Sequence, residues 1–148
     1  MRALIQRVKE AHVVADGVLS GQIQGGMLVF LGFTHDDDMQ KGQKLLQKLK
    51  SMRIFSDENG KLNLNLEQAQ GNILIVSQFT LYGSLTHGNR PGFDEALEPS
   101  RAKALYDELV RRAHEFFPDL QTGEFGADMQ VDSRNDGPVT ILFDTDRS

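Results

Sequence analysis

The sequence contains no cysteine. That excludes disulfides, a thiolate nucleophile and thiolate metal sites together, and it fits a cytoplasmic setting. Long hydrophobic runs are missing as well: no window approaches the roughly 18 apolar residues of a membrane span. The opening stretch, Met1 to Val14, interrupts its apolar positions with charge too often to be the core of a secretion signal. A soluble, cytoplasmic protein without a membrane partner is the expectation. Positive charge is in deficit, with 16 Lys and Arg against 21 Asp and Glu and a formal net charge of −5. Such a balance argues against a broad grip on nucleic acid, DNA in particular, because phosphate binding relies on cations that displace counterions. A small contact with the end of an RNA is compatible with it. The local basic runs KGQKLLQKLK (41–50) and RAKALYDELVRR (101–112) read as solvated helix faces.

Motifs for metals, nucleotides and nucleophiles are also absent. His12, His35, His87 and His114 are scattered and make neither an HxH nor an HExxH spacing. Asp36, Asp37 and Asp38 stand where a helix N-terminus welcomes negative charge, so they require no cation. There is no GxxxxGK[ST] and no GxGxxG, and GQIQGGM (21–27) reads as a turn. Ser77 lacks the G-x-S-x-G elbow that would expose a nucleophile, and nothing places His87 beside it. No metal and no cofactor are expected.

What is present is a chain of 148 residues, 39% hydrophobic and 25% charged, which fits one globular domain over 1–148. RALIQRV reads as a strand and AHVVADGVLSGQI as a hairpin turning at Asp16–Gly17. GGMLVFLGF (25–33) is a continuous apolar run suited to a strand buried on both faces. A helix follows, with Leu45, Leu46, Leu49 and Met52 on one stripe. Leu62, Leu64 and Leu66 alternate as in a half-buried strand. Ser100 is a candidate cap for a second helix, with Leu105, Leu109, Ala113 and Phe116 inward. GEFGADMQVDSR and PVTILF are expected to form a last pair of strands joined through NDG, and DTDRS a fraying tail. Seven or so strands and two helices predict an α/β chain of the α+β type. Its sheets are expected to be mostly antiparallel, forming a barrel-like or β/β/α layered core with two amphipathic helices on one side.

Two stretches break their own pattern. In NILIVSQFTLYG (72–83) four aliphatics run into Ser77-Gln78-Phe79-Thr80. As a strand, this would put Gln78 and Thr80 on one face and Ser77 and Phe79 on the other. Either the strand is emerging into water, or the sheet ends in a polar pocket whose donors await a ligand. In NDGPVTILF (135–143), Gly137–Pro138 precedes an apolar strand. Proline is tolerated at a strand start, an edge or a bulge, so a simple turn is one reading. A cis bond, with glycine letting main chain approach a ligand, is the other.

The motifs LIQRV, RIFSDENGKLNLNL, VSQFTLYG, NRPGF, ALYDELV, TGEFGADMQV and NDGPVTI occur in that order over nearly the whole chain. Together they closely resemble the D-aminoacyl-tRNA deacylases. Ser77-Gln78-Phe79-Thr80 matches that family's S-Q-x-T signature and Gly137–Pro138 its Gly-cisPro signature. The resemblance implies a homodimeric enzyme that hydrolyses the ester joining a D-amino acid, or mischarged glycine, to the 3′ end of a tRNA. It implies catalytic roles for Ser77, Gln78, Phe79 and Thr80. It further implies that Gly137–Pro138 of one subunit enters the pocket of the other and excludes L side chains. Arg7 matches a position that helps hold that motif, and the main chain near Met129 lies by the pocket. The chain departs from the family pattern in RPGF, where a serine commonly follows the proline, and in LYGSLTHG after the first signature.

Physically, an activated ester needs positioning and oxyanion support more than a strong base. Alignment supplies on the order of 7–11 kcal/mol in favourable cases, and an oxyanion donor about 3–4 kcal/mol. The N–H groups of Phe79 and Thr80 and the Gln78 amide are the candidate donors, and the resemblance assigns activation to the RNA's own 2′-hydroxyl. A covalent role for Thr80 would need a nearby base. Steric exclusion at Cα tests handedness while ignoring side-chain chemistry, and rigid main chain suits it. Two other readings stay open at this level: a non-catalytic RNA-end or small-ligand binding module, and an editing hydrolase for another mischarged aminoacyl-tRNA.

Overall fold

The computed structural model describes residues 1–147. Its organising element is β1 (Arg2–Ala15), a 14-residue strand that alternates buried and partly exposed positions through most of its length. Asp16 and Gly17 turn the chain with φ of 48° and 85°. Positive φ at both central residues matches the twist of the flanking strands, and β2 (Val18–Ile23) returns antiparallel to β1. β3 (Gly26–Gly32) then pairs antiparallel with the first half of β1 on one side and parallel with β6 (Asn72–Ser77) on the other. Flanked on both edges, β3 is buried at every position but Phe30, as its unbroken apolar run predicts.

β7 (Gln121–Thr122) continues the sheet beyond β6, and β8 (Met129–Asp144) covers the remaining edge of β1. The sheet curls until its ends meet: Ser20 Oγ of β2 donates to the Thr122 carbonyl of β7 at 2.9 Å. The result is an α+β fold whose mixed sheet is nearly closed into a barrel. Its interior holds Val8, Ala11, Val13, Ile23, Leu28, Leu74 and Val76. A separate two-stranded ribbon joins β4 (Phe55–Ser56) to β5 (Leu62–Leu64).

The outer face of the barrel packs on α1 (Met39–Ser51) and α2 (Pro99–Phe116). Asp38 caps α1 by accepting from the Lys41 N–H at 3.0 Å. Leu45, Leu46 and Leu49 form its buried stripe. α2 starts before Ser100. Pro99 takes the first helical position, where a missing N–H costs nothing, and Glu98 stands at the cap. Its buried stripe is Ala102, Tyr106, Leu109 and Ala113, while Leu105 and Phe116 are only partly covered.

Two expectations about strands are corrected. The segment 129–144 is one long strand rather than two joined by a turn at NDG. Gln6 pairs with Thr140 and Val8 with Asn135, so residues 136–139 bulge out of the β1 ladder and Gly137–Pro138 sits in that bulge. The strand of 72–77 also ends at Ser77, and Phe79–Tyr82 is a 3₁₀ turn. Strict alternation therefore does not extend through Ser77-Gln78-Phe79-Thr80. The C-terminal segment docks instead of fraying at Thr145, whose N–H donates to the Met1 carbonyl at 3.0 Å. Ser148 lies outside the described residues. Among those residues no helix is long and apolar enough to cross a membrane, and no cluster of His, Asp or Glu could hold a metal ion.

Candidate active site

Strand β6 delivers its last residues to the rim of a cavity of about 500 Å³, within the range of small-molecule sites. Ser77, Gln78 and Phe79 form one wall, and Leu31, Gly32 and Phe33 of the adjoining β3 segment form another. The start of α2 contributes Glu98, Pro99 and Ala102, and Phe125, Ala127 and Met129 close the far side. Polar atoms are confined to few places in an otherwise apolar hollow.

The local backbone explains how the polar end is made. Gln78 N–H donates to the Leu31 carbonyl at 2.7 Å, the last hydrogen bond tying this segment to β3. The 3₁₀ turn then begins with Leu81 N–H on the Gln78 carbonyl at 3.3 Å. The N–H groups of Phe79 and Thr80 precede that first turn bond and have no acceptor within it. Tightening the chain also brings residues 78 and 80 together, and Gln78 Nε2 donates to Thr80 Oγ1. Thr80 is exposed and does not itself line the cavity; it meets the site through Gln78.

The loop 83–98 supplies the rim. Ser84 and Gly92 exchange backbone hydrogen bonds at 2.8 Å, His35 Nε2 donates to the Asp94 carbonyl at 2.6 Å, and Leu97 N–H donates to the Phe33 carbonyl at 3.0 Å. Phe93 crosses back to Phe79, ring centroids 5.0 Å apart at 65°, an edge-to-face pair. His35 and His87 are not among the lining residues.

Gly137–Pro138 is elsewhere. The pair is exposed, is joined by a cis peptide, and is absent from the lining of its own chain's cavity. Arg7, with only 8% of its surface accessible, sits under the bulge. Its Nε donates to the Asp136 carbonyl at 3.0 Å, and its Nη1 to the Ile54 carbonyl at 3.0 Å and to Ser56 Oγ at 3.2 Å. Gly137 has φ +125°, and a Cβ there would lie 3.0 Å from Arg7 Nη2.

Of the residues singled out from sequence, Ser77, Gln78, Phe79 and Met129 meet at the cavity, Thr80 adjoins it, and Arg7, Gly137 and Pro138 form a second group away from it. Sequence reasoning missed the lining contributed by Phe33, Phe93, Glu98, Ala102 and Phe125. TGEFGADMQV and NRPGF marked two of these segments, but neither periodicity nor charge said what they face. A hollow of about 650 Å³ at the opposite end of β3, beside Gly26 and Asn72, contains none of the predicted residues.

Comparison with known proteins completes the description. The family model described as D-Tyr-tRNA(Tyr) deacylase matches residues 4–144. A D-aminoacyl-tRNA deacylase of Acinetobacter baylyi is 55% identical over 144 residues, covering 97% of this chain and 99% of that protein. One from Fusobacterium nucleatum is 51% identical over 145 residues, covering 98% and 96%. Among solved structures, a c-Myc DNA unwinding element binding protein superposes with a TM-score of 0.91 at 35% identity, covering 97% of this chain and 98% of that one. A probable eukaryotic D-amino acid tRNA deacylase superposes with a TM-score of 0.85 at 17% identity, covering 96% and 97%, which speaks to the fold alone.

Proposed function

This chain belongs to the D-Tyr-tRNA(Tyr) deacylase family and is a hydrolase of the ester in D-aminoacyl-tRNA; from that premise we propose how its residues divide the work. The aminoacyl-adenosine end of the tRNA occupies the cavity at the tip of β6, with the ester carbonyl against Gln78, Phe79 and Thr80. The observation that carries this reading is the change from strand to 3₁₀ turn after Ser77. It leaves the Phe79 N–H and the Gln78 amide at the end of an apolar hollow, with the Thr80 N–H adjoining it, a geometry suited to a developing oxyanion.

Among the described residues no His, Lys or Asp lines the cavity, and its one ionisable side chain, Glu98, is an exposed carboxylate at the cap of α2 that accepts from Ser100 Oγ. As the family resemblance implies, the neighbouring 2′-hydroxyl of the terminal ribose takes the part of the activating oxygen, and the protein aligns and stabilises. As water adds to the carbonyl carbon it gives a proton to the ribose 2′-oxygen, whose own proton is released, and the negative charge that develops on the carbonyl oxygen is stabilised by the donors at 78–80. When the C–O bond breaks, the proton passes to the departing ribose 3′-oxygen, giving free amino acid and tRNA.

Gly137 and Pro138 select by handedness from a second copy of the chain. They are exposed and lie outside their own cavity, and Pro138 fixes its φ while Arg7 holds the preceding carbonyl. Such main chain, inserted into a partner's cavity, crowds the side of Cα where an L side chain would project. A D side chain points away, and glycine offers nothing to reject, so glycyl-tRNA is also a substrate. Met129 supports the same wall. Association has an apolar surface available: Leu142 is 57% exposed and pairs across the sheet with Leu4, itself paired with the half-buried Phe30. The working unit is thus a cytoplasmic homodimer of one domain per chain, without cofactor.

Incubation with D-tyrosyl-tRNA, L-tyrosyl-tRNA and glycyl-tRNA tests the reading. Release of D-tyrosine and glycine with L-tyrosine spared is expected. Equal release of both enantiomers would remove the chiral role of Gly137–Pro138.

A further inference from the structure

Among the described residues one ionisable side chain lines the cavity, and it takes no part in the proposed chemistry at 78–80. Glu98 stands at the cap of α2, among Phe33, Leu97, Ala102 and Phe125. Its Oε1 accepts from Ser100 Oγ at 3.0 Å. A carboxylate has about four acceptor sites, so Oε2 remains available. Glu98 is an exposed residue at the α2 end of the cavity, whereas Ser77 and Gln78, which also carry acceptor oxygens, line the β6 end. An acceptor beside apolar walls orients whichever ligand group can donate to it.

Three donors of an aminoacyl-adenosine compete for it: the α-ammonium, the ribose hydroxyls and the exocyclic amine of the base. Strand β3 and its continuation serve as a ruler. The Leu31 carbonyl receives Gln78 N–H, and the Phe33 carbonyl receives Leu97 N–H. Two residues of extended chain span about 7 Å, so Glu98 begins roughly that far from the donors at 78–80. The α-ammonium is held on the carbon next to the ester carbonyl and stays at the 78–80 end, and the ribose oxygens take part there. The base, on the far side of the ribose, reaches the Glu98 end. Charge agrees, since a carboxylate repels phosphate and tolerates only the uncharged part of the nucleotide. Shape agrees too: a flat ring with apolar faces and a donor edge suits walls such as Phe33, Ala102 and Phe125. Adenine presents an amine at its six-position, where guanine presents an acceptor.

We infer that Glu98 accepts a hydrogen bond from the exocyclic amine of the terminal adenine and so fixes the orientation of the nucleoside in the cavity. This rests on the cavity being the site of the tRNA 3′ end. The test is an NMR titration of isotope-labelled protein with adenosine and with purine riboside, which lacks only the amine. The wild type is expected to bind adenosine about tenfold more tightly. Glu98→Ala should bind both ligands alike, and Glu98→Gln, which keeps an acceptor oxygen, should retain part of the preference. No preference in the wild type, a preference intact in Glu98→Ala, or equal weakening of both ligands with the ratio preserved would each overturn the inference. Release of D-tyrosine from D-tyrosyl-tRNA by the wild type is followed in parallel. Failure there with the amine preference present would strike the catalytic reading and leave the base contact standing.

Discussion

At the tip of β6 the proposed oxyanion site turns on Gln78, whose side chain joins Thr80 to the cavity. Removing one preorganised donor from an oxyanion site costs about 10²–10³ in rate. Gln78→Ala is therefore expected to lower single-turnover deacylation of D-tyrosyl-tRNA by about 10²-fold, with the melting temperature little changed at this half-buried position. Thr80→Val keeps the shape and removes the hydroxyl. A loss within about tenfold is expected, since general acid–base or nucleophilic assistance would be worth more; abolished turnover with RNA binding intact would assign Thr80 a covalent role. Arg7 belongs to stability as much as to function. Its three donated hydrogen bonds lie in a nearly water-free position, and hydrogen bonds involving charged groups contribute about 1.5–3 kcal/mol. Arg7→Met leaves the Asp136 and Ile54 carbonyls unpaired and is expected to lower unfolding stability by about 2–4 kcal/mol in urea titrations.

Between elements, the pairing of β1 with β8 frames both the bulge and the apolar Leu4–Phe30–Leu142 surface, and its end is sealed by charge. Arg2 Nε donates to Asp144 Oδ2 at 3.1 Å across that ladder. Burial pushes the Asp144 carboxyl up, but the Asp146 N–H and the Arg2 guanidinium outweigh it and hold the group below its ordinary 3.8. A carboxyl lowered in the fold binds protons less readily there than in the unfolded chain. Its stabilising effect is thus complete above the ordinary value and fades as pH falls below it. The stability gap between wild type and Asp144→Asn is expected to be widest at pH 6 and to narrow toward pH 3 in denaturant titrations; a gap that widens on acidification would contradict this pairing. The same elements show what was legible in the sequence. β3, the Asp16–Gly17 turn and the α1 stripe followed from runs, turn residues and periodicity, which are local signals. The 3₁₀ turn at Phe79–Tyr82 did not, because Leu81 and Tyr82 keep an apolar content that a strand would share. Nor did the continuous β8, since NDGP carries every local mark of a turn, while Arg7, 130 residues earlier, holds it as a bulge by donating to Asp136 and Ile54. The cavity wall from Glu98 to Phe125 depends on how α2 docks, which no local pattern encodes.

For the whole molecule, Gly137–Pro138 lies apart from its own cavity, and the proposed role in a second copy makes chiral selection a property of the pair of chains. Leu142→Glu puts a charge in the middle of the Leu4–Phe30–Leu142 surface and is expected to give a monomer by light scattering, with the rejection of L-tyrosyl-tRNA lost although the fold is kept. Monomers that still spare L-tyrosyl-tRNA would show that the bulge works within its own chain or not at all. Mixing inactive variants carries the sharper consequence. Gly137→Val puts a side chain on the donated main chain that blocks the receiving cavity but leaves its own Gln78, while Gln78→Ala spoils the site but leaves the bulge. In a twofold dimer each cavity draws its bulge from the other chain. A mixed dimer then has one cavity with Gln78 from the first variant and an intact bulge from the second, and one cavity with neither. Free exchange puts half the dimers in mixed form, so about a quarter of the wild-type sites should return when two inactive preparations are combined. Were both functions supplied within one chain, every site in the mixture would carry a defect and no activity would return. Circular dichroism and melting of each variant alone establish that both chains are folded before exchange, so recovery or its absence reports where the bulge acts.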